Sequence, residues 1–508
     1  MTEISGRSSS EGWSGSVEWF AAAIAIALFA VCLLVASKQY FWGDDFAYLA
    51  KVRGGFTAAP WSWLDVFLPQ RPGFNWAYRP LSLETFFYLG NRAFGLQPFG
   101  YLASSLFIHF SSGVLFWFLA LRLGLERPAA AFAALLSVAR PPSLSDIFFI
   151  SIFSYVLSTF WMLSSVLLAL VALRRQERGA RVVVAAVSAI STALALLASE
   201  IAIVTPGIVA AAVLCDGRLR SERIPWSRVV GHLAPHLLVA IGWCIVRFKL
   251  VVLASPGPWY MPTFGLHNFQ NAGLLIVYSL GSSLSCIVLT LWLFAPLGIV
   301  ATQPAIRGRV GKRPLPAAVV GLAWLLPIEA IFAPAYLPQL RFAIAVEVPV
   351  CLWIGVGASI AWSCAPRRAR AMLGATALLS ISATIPYDAL WTNWSSPRGD
   401  HARDLLGLAE QAPALIDTKI VLLHSGPNMA SEDTAISYGY SIWNGVGFMA
   451  IHPTRRLTFE IRDASQLSPR AACDRCVFVA LRPDQSLEIV SDPASLSSSS
   501  PRLPASRQ

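Results

Sequence analysis

The chain reads as mainly α: a polytopic membrane protein of about eleven transmembrane helices, with a small α/β domain near its C-terminal end. Three observations predict this. Of 508 residues, 56% are hydrophobic and 13% charged, whereas soluble domains average about 25% charged residues. The mean hydropathy is +0.58, more apolar surface than one aqueous core can hide. The basic residues behind the net charge of +11 fall in short blocks between apolar runs. That placement is the signature of cytoplasmic loops and argues against nucleic acid as the partner. The lipid bilayer is the partner it predicts.

Residues 1–18 are rich in Ser and Gly and read as a disordered cytoplasmic arm. The run from Trp19 to Ser37 is long enough to span, at roughly 20 residues per crossing, and reads as a retained first helix without a cleavage site. A polar, aromatic loop follows, and Leu83 to Phe94 reads as a helix lying on the interface. This first outer loop covers 38–98. Further spans are expected at about 99–121, up to 139, 147–173, up to 198, from 201, 229–246, up to 302, 317–332, 342–362 and up to 385. Blocks such as Arg174-Arg175-Arg178-Arg181 and Arg367-Arg368-Arg370 separate them. With the N-terminus inside, every block lands in the cytoplasm. The membrane domain is thus 19–386. The more polar stretch 387–491 reads as a small outer α/β domain, with strands at 419–423 and 477–481 and a helix at 404–411. The Ser/Pro-rich tail 492–508 reads as disordered.

The candidate chemistry gathers at outer helix ends. Asp44 and Asp45 stand inside the aromatic stretch Phe41-Trp42-Gly43-Asp44-Asp45-Phe46-Ala47-Tyr48. Adjacent acids raise each other's pKa, which suits a general base acting on a hydroxyl. The plainer reading is a solvated loop that stops a helix. Arg79, next to Tyr78 and Pro80, either binds a phosphate bidentately or snorkels to anchor the interface helix. Arg140, Asp146, Glu200, Arg247 and Arg341 also lie at outer ends, where snorkelling competes with function. Arg341, between a proline turn and a helix start, suits a leaving phosphate, with Glu347 as a deep partner for a basic group. His109 is mid-span, where a packed, hydrogen-bonded His is the commoner role. Cys473 and Cys476 form a close pair. A disulfide in an oxidising compartment is preferred to a zinc site, because no second ligand pair has the right spacing; a redox role stays open. A phosphate-cradling Gly loop, HExxH and GxSxG are all missing. That argues against a nucleotide-driven pump or a membrane metalloprotease. The sequence points to no particular cofactor, and a divalent metal is compatible but not indicated.

In order, Asp44-Asp45, Tyr78-Arg79-Pro80-Leu81-Ser82 and Gln97-Pro98-Phe99-Gly100-Tyr101 with His109 resemble the GT-C glycosyltransferases. The likeness is to the branch of transmembrane O-mannosyltransferases and their bacterial relatives, here without tetratricopeptide repeats. Ser199-Glu200 followed by Pro206 is similar to that branch's Ser-Lys-Glu…Pro segment, with Lys absent. Arg341-Phe342 is similar to its Arg-Tyr. The family's His-Pro is Arg140-Pro141 here, and its next acid falls on Ser145 or Asp146.

The resemblance implies a multi-pass enzyme of the bacterial inner membrane, N-terminus cytoplasmic and C-terminus periplasmic. It implies a polyprenyl-phosphate sugar donor and a glycan, lipid or protein acceptor. Asp44 would be the base and Asp45 its neighbour. Arg79, Arg341 and Arg140 would hold the donor phosphate, with Tyr78, Glu200, Asp146 and His109 around them. Direct displacement would invert the anomeric carbon. The alternative is a transporter or flippase of a lipid-linked saccharide, which would place charges near the midplane and show inverted repeats.

Overall fold

The computed structural model describes residues 8–53, 67, 78–140, 147–219, 225–250, 265, 267–280, 287–292, 294, 298, 314–332, 343–411, 419–424, 441–442, 450, 458–463, 476–481 and 487–490. Helices dominate: α1 (Ser8–Ala36), α2 (Asp44–Arg53), α3 (Phe86–Phe94), α4 (Pro98–Arg122), α5 (Arg127–Ala139), α6 (Phe153–Arg174), α7 (Arg178–Ala198), α8 (Thr205–Leu219), α9 (Trp226–Ile245), α10 (His267–Leu280), α11 (Leu315–Phe332), α12 (Ala343–Cys364) and α13 (Arg367–Gln411). Among the described residues, seven helices are long and apolar enough to cross a membrane. The shorter apolar helices 127–139, 315–331 and 369–382 stand where three more spans are expected. Most of the expected eighth span lies outside the described residues.

Pro98 and Pro128 open α4 and α5 at their first turns, where the missing N–H has no intrahelical partner to lose. Inside the bundle, lipid tails are as apolar as leucine, so packing and polar contacts hold the helices together. α6, α7 and α9 are joined by Ser165–Thr192 at 2.8 Å and Thr192–His236 at 2.7 Å. α5 approaches α12 closely at Gly355, where an added Cβ would come within 3.0 Å of Ala133.

A second core lies at the ends of α1 and α4 remote from the basic blocks. It unites Phe41, Phe46 and Phe87 with Leu405 of α13 and Ile420 of the sheet. The sheet comprises β1 (Lys419–His424), β2 (Thr458–Asp463), β3 (Cys476–Leu481) and β4 (Leu487–Val490), in the order β2-β1-β3-β4. β1 runs parallel to β2 and β3, and β4 is antiparallel to β3. Two expectations change. α1 begins at Ser8, eleven residues before Trp19. The expected break between a span ending at 385 and a helix at 404–411 is absent, because α13 runs continuously from Arg367 to Gln411. At about 1.5 Å per residue, it joins the bundle to the sheet as one rod.

Candidate active site at the polar end of the bundle

Gly43 sets the entry to the site. Its φ of 57° lies in the left-handed region, which glycine alone visits without penalty. Its N–H donates to the Ser441 carbonyl at 2.8 Å. The turn starts α2 with Asp44 and Asp45 in its first turn, where the helix dipole favours negative charge.

The two acids then differ. Asp45 is fully buried. Its carboxylate accepts the Ser151 N–H at 2.8 Å and the Trp42 N–H at 3.4 Å. Burial raises its pKa well above the usual carboxylate range, and these N–H groups pull it back only in part. Asp44 stays partly exposed. In helical register, Asp44, Tyr48 and Lys51 share one face of α2. Lys51 is ion-paired to Glu84 at 3.6 Å and lies 5.3 Å from the centre of the Tyr48 ring.

Arg79 caps the π turn Pro80–Thr85. Its guanidinium meets Glu200 through one edge in a bidentate pair, Nε donating to Oε2 at 2.8 Å and Nη2 to Oε1 at 2.5 Å. It also donates to Ser154 Oγ at 3.1 Å and to the Tyr155 hydroxyl at 3.4 Å, and lies over the Tyr155 ring at 5.1 Å. Burial lowers the Arg79 pKa and Glu200 more than offsets this, so the net shift is upward. Arg79 is therefore cationic at any working pH. Asp45 holds residue 151 and Arg79 holds residues 154 and 155, so the acid and the cation flank one turn of chain at the start of α6. Tyr48, on the Asp44 face of α2, lies within electrostatic range of Arg79.

Arg247, on the π turn Val246–Leu250 that ends α9, interacts electrostatically with both Glu200 and Arg79. It is half-buried, and no hydrogen bond of its side chain is seen among the described residues. Tyr78 donates to the Phe67 carbonyl at 3.1 Å; burial and Glu84 raise its pKa.

Other expected residues stand elsewhere. Arg140 is fully buried and faces Glu347 of α12 at 3.7 Å and Cys351 Sγ at 3.3 Å. It thereby ties α5 to α12 inside the bundle. His109 is buried and its Nε2 lies 3.2 Å from the Val138 carbonyl, the packed role. Asp146, Arg341 and Cys473 lie outside the described residues. Cys476 is disulfide-bonded. Among the described residues, no three His, Cys, Asp or Glu side chains gather as a metal site would require.

Sequence reasoning missed Lys51 and Glu84. The signal was present: Asp44, Tyr48 and Lys51 follow the i, i+4, i+7 spacing of one helix face.

No family model matches the chain, and no curated protein matches its sequence. Solved structures do match. ArnT from Cupriavidus metallidurans bound to undecaprenyl phosphate aligns with a TM-score of 0.51 at 13% identity, over 91% of this chain and 93% of that one. ArnT in the apo state gives 0.50 at 13%, over 94% of each. The chain has the fold of ArnT. It is the GT-C fold that the sequence resemblance implies. The apo oligosaccharyltransferase of Archaeoglobus fulgidus gives 0.47 at 12% identity, over 87% of this chain and 65% of that one.

Proposed function

We propose that the chain is an integral-membrane glycosyltransferase that takes a sugar from a polyprenyl-phosphate donor and passes it to an acceptor hydroxyl. The observation that carries this is one cluster at the end of the bundle remote from the basic loops. A half-exposed acid, Asp44, shares that end with Arg79, Glu200 and Arg247. The GT-C fold shared with ArnT, a protein crystallised with undecaprenyl phosphate, supports the donor class.

The charges suit the reaction. Glu200 cancels one of the two arginines, so the trio carries about one net positive charge, which matches a sugar phosphodiester. Asp44 takes the proton from the acceptor hydroxyl as that oxygen bonds to the anomeric carbon. The bond from that carbon to the phosphate oxygen breaks, and its electron pair leaves with the polyprenyl phosphate. Negative charge on the phosphate therefore grows along the reaction. Arg247 and the cationic charge of Arg79 stand where it grows, so they stabilise the transition state more than the ground state. Attack opposite the leaving group inverts the anomeric carbon. Asp45 positions α2 and touches no substrate.

In this reading the basic loops face the cytoplasm of a bacterial inner membrane, and the cluster with the C-terminal domain faces the periplasm. Arg341 belongs to the same outer end by sequence and is a third candidate for the phosphate. Arg140, turned to Glu347, is not assigned to it.

The test is transfer from a polyprenyl-phosphate sugar in proteoliposomes. Asp44→Asn is expected to lower turnover by about 10²-fold or more, with its circular dichroism and bound-lipid profile unchanged. Full turnover by Asp44→Asn would remove Asp44 from the chemistry.

A further inference from the structure

A cavity lies at the end of the bundle opposite the Arg79–Glu200 cluster. It has a volume of about 390 Å³ and lies between α1, α5, α12 and α13. Its wall is apolar: Phe20 and Ile24 of α1, Ala131 and Leu135 of α5, and Gly374 and Ile381 of α13. Each pair lies on one face of its helix, so the cavity is a groove along the helix axes. From residue 128 to residue 135 it follows α5 for about 10 Å, a third of a hydrocarbon core of ~30 Å. A Cβ added at Gly374 would meet nothing within 4 Å, so the groove has room there. Trp292, whose indole N–H donates to Ser380 at 3.3 Å, forms a stiff side wall.

The mouth is charged. Arg127 directly precedes the groove residue Pro128, and its side chain is 60% exposed. Its Nε lies 3.7 Å from Glu18 Oε1, an ion pair at a distance beyond a hydrogen bond. Arg370 stands one turn before the groove residue Leu373 and is exposed. Its Nε donates to the Ala365 carbonyl at 3.2 Å, and its two terminal nitrogens are not part of that bond. Two guanidinium groups and the Glu18 carboxylate thus stand at this end of the groove, about one net positive charge.

We infer that this groove is a binding site for an anionic glycerophospholipid of the leaflet at the basic helix ends. One acyl chain would lie along α5 and α13, with the head-group phosphate held by Arg127 and Arg370. Charge complementarity selects this occupant. Within a bilayer, apolar fit alone does not distinguish one lipid tail from another, whereas two arginines at headgroup depth favour a phosphate bearing net negative charge. The phosphate of a polyprenyl donor would sit at the other end of the bundle. The site is thus separate from the proposed chemistry, and its test needs no sugar substrate.

The experiment is native mass spectrometry of the purified full-length protein, released from detergent after delipidation and exchange into mixed phosphatidylglycerol and phosphatidylethanolamine. Wild type is expected to retain one phosphatidylglycerol. Gly374→Leu, which extends a side chain into the groove from a position where an added Cβ meets nothing, is expected to lose it. The double change Arg127→Gln with Arg370→Gln is expected to lose the preference for phosphatidylglycerol over phosphatidylethanolamine. Thermal unfolding of each variant checks that it is folded. Equal retention by wild type and Gly374→Leu would overturn the proposal. So would a polyprenyl phosphate, a second copy of the chain, or no adduct in place of phosphatidylglycerol.

Discussion

Asp45 shows how burial divides the work between adjacent acids. Its carboxyl is closed off and bonded to two backbone N–H groups, whereas Asp44 faces outward. Burial raises the folded-state pKa of Asp45 well above its ordinary 3.8. The folded protein therefore holds this proton to higher pH than the unfolded chain does. The stabilisation is fully present below 3.8 and is lost as pH rises through the folded value. Thermal unfolding between about pH 4 and about pH 8 should show wild type losing stability with rising pH relative to Asp45→Asn, which cannot ionise. Asp45→Ala leaves the Ser151 N–H buried without its acceptor and should cost about 1–3 kcal/mol. Parallel pH profiles for wild type and Asp45→Asn would contradict the buried-acid account. The sequence singles out Asp44, Asp45, Arg79 and Glu200 because each stands where an apolar run ends. It does not show that Arg79 and Glu200 bond each other, because 121 residues separate them. Nor does it separate Arg140 from the site residues. Arg79, Arg140 and Arg247 are all arginines at helix ends, and only packing turns Arg140 inward to Glu347.

Among the elements, the turn before α2 is the most exacting. Gly43 combines a positive φ with a backbone bond to Ser441, so one residue sets both the start of α2 and its contact with the C-terminal domain. Gly43→Ala keeps every hydrogen-bonding group but places a Cβ in left-handed backbone. It should destabilise the protein by about 1–2 kcal/mol and lower transfer, because α2 carries Asp44. Chemical denaturation measures the first effect and the transfer assay the second. An unchanged unfolding midpoint would show that the turn carries no such strain. The long apolar helices are legible in the sequence, since twenty apolar residues between basic blocks have few other readings. α13 is not. Pro386 and Pro397 fall between the span expected to end at 385 and the helix expected at 404–411, yet one helix runs across both. Its C-terminal turns are anchored from outside: Gly399 packs against Tyr40, and Arg403 lies over the Tyr40 ring at 5.2 Å.

Across the whole molecule, charge is partitioned by end. The basic blocks, with the lipid groove between Arg127 and Arg370, occupy one end. The acid pair, the Arg79–Glu200–Arg247 trio and the sheet occupy the other. This polarity is visible in the sequence, because loop charge alternates along the chain. The convergence of α2, the start of α6, the turn at Glu200 and the end of α9 on one cluster becomes visible only once the chain is folded. The central claim is that this cluster binds a lipid-linked phosphate through Arg247 and handles the proton through Asp44. The most direct measurement is equilibrium binding of undecaprenyl phosphate to the purified protein in nanodiscs. Arg247→Ala should weaken binding by about tenfold or more, the equivalent of about 1.4 kcal/mol, while Asp44→Asn binds at least as tightly as wild type. Equal affinity of wild type and Arg247→Ala would contradict the account.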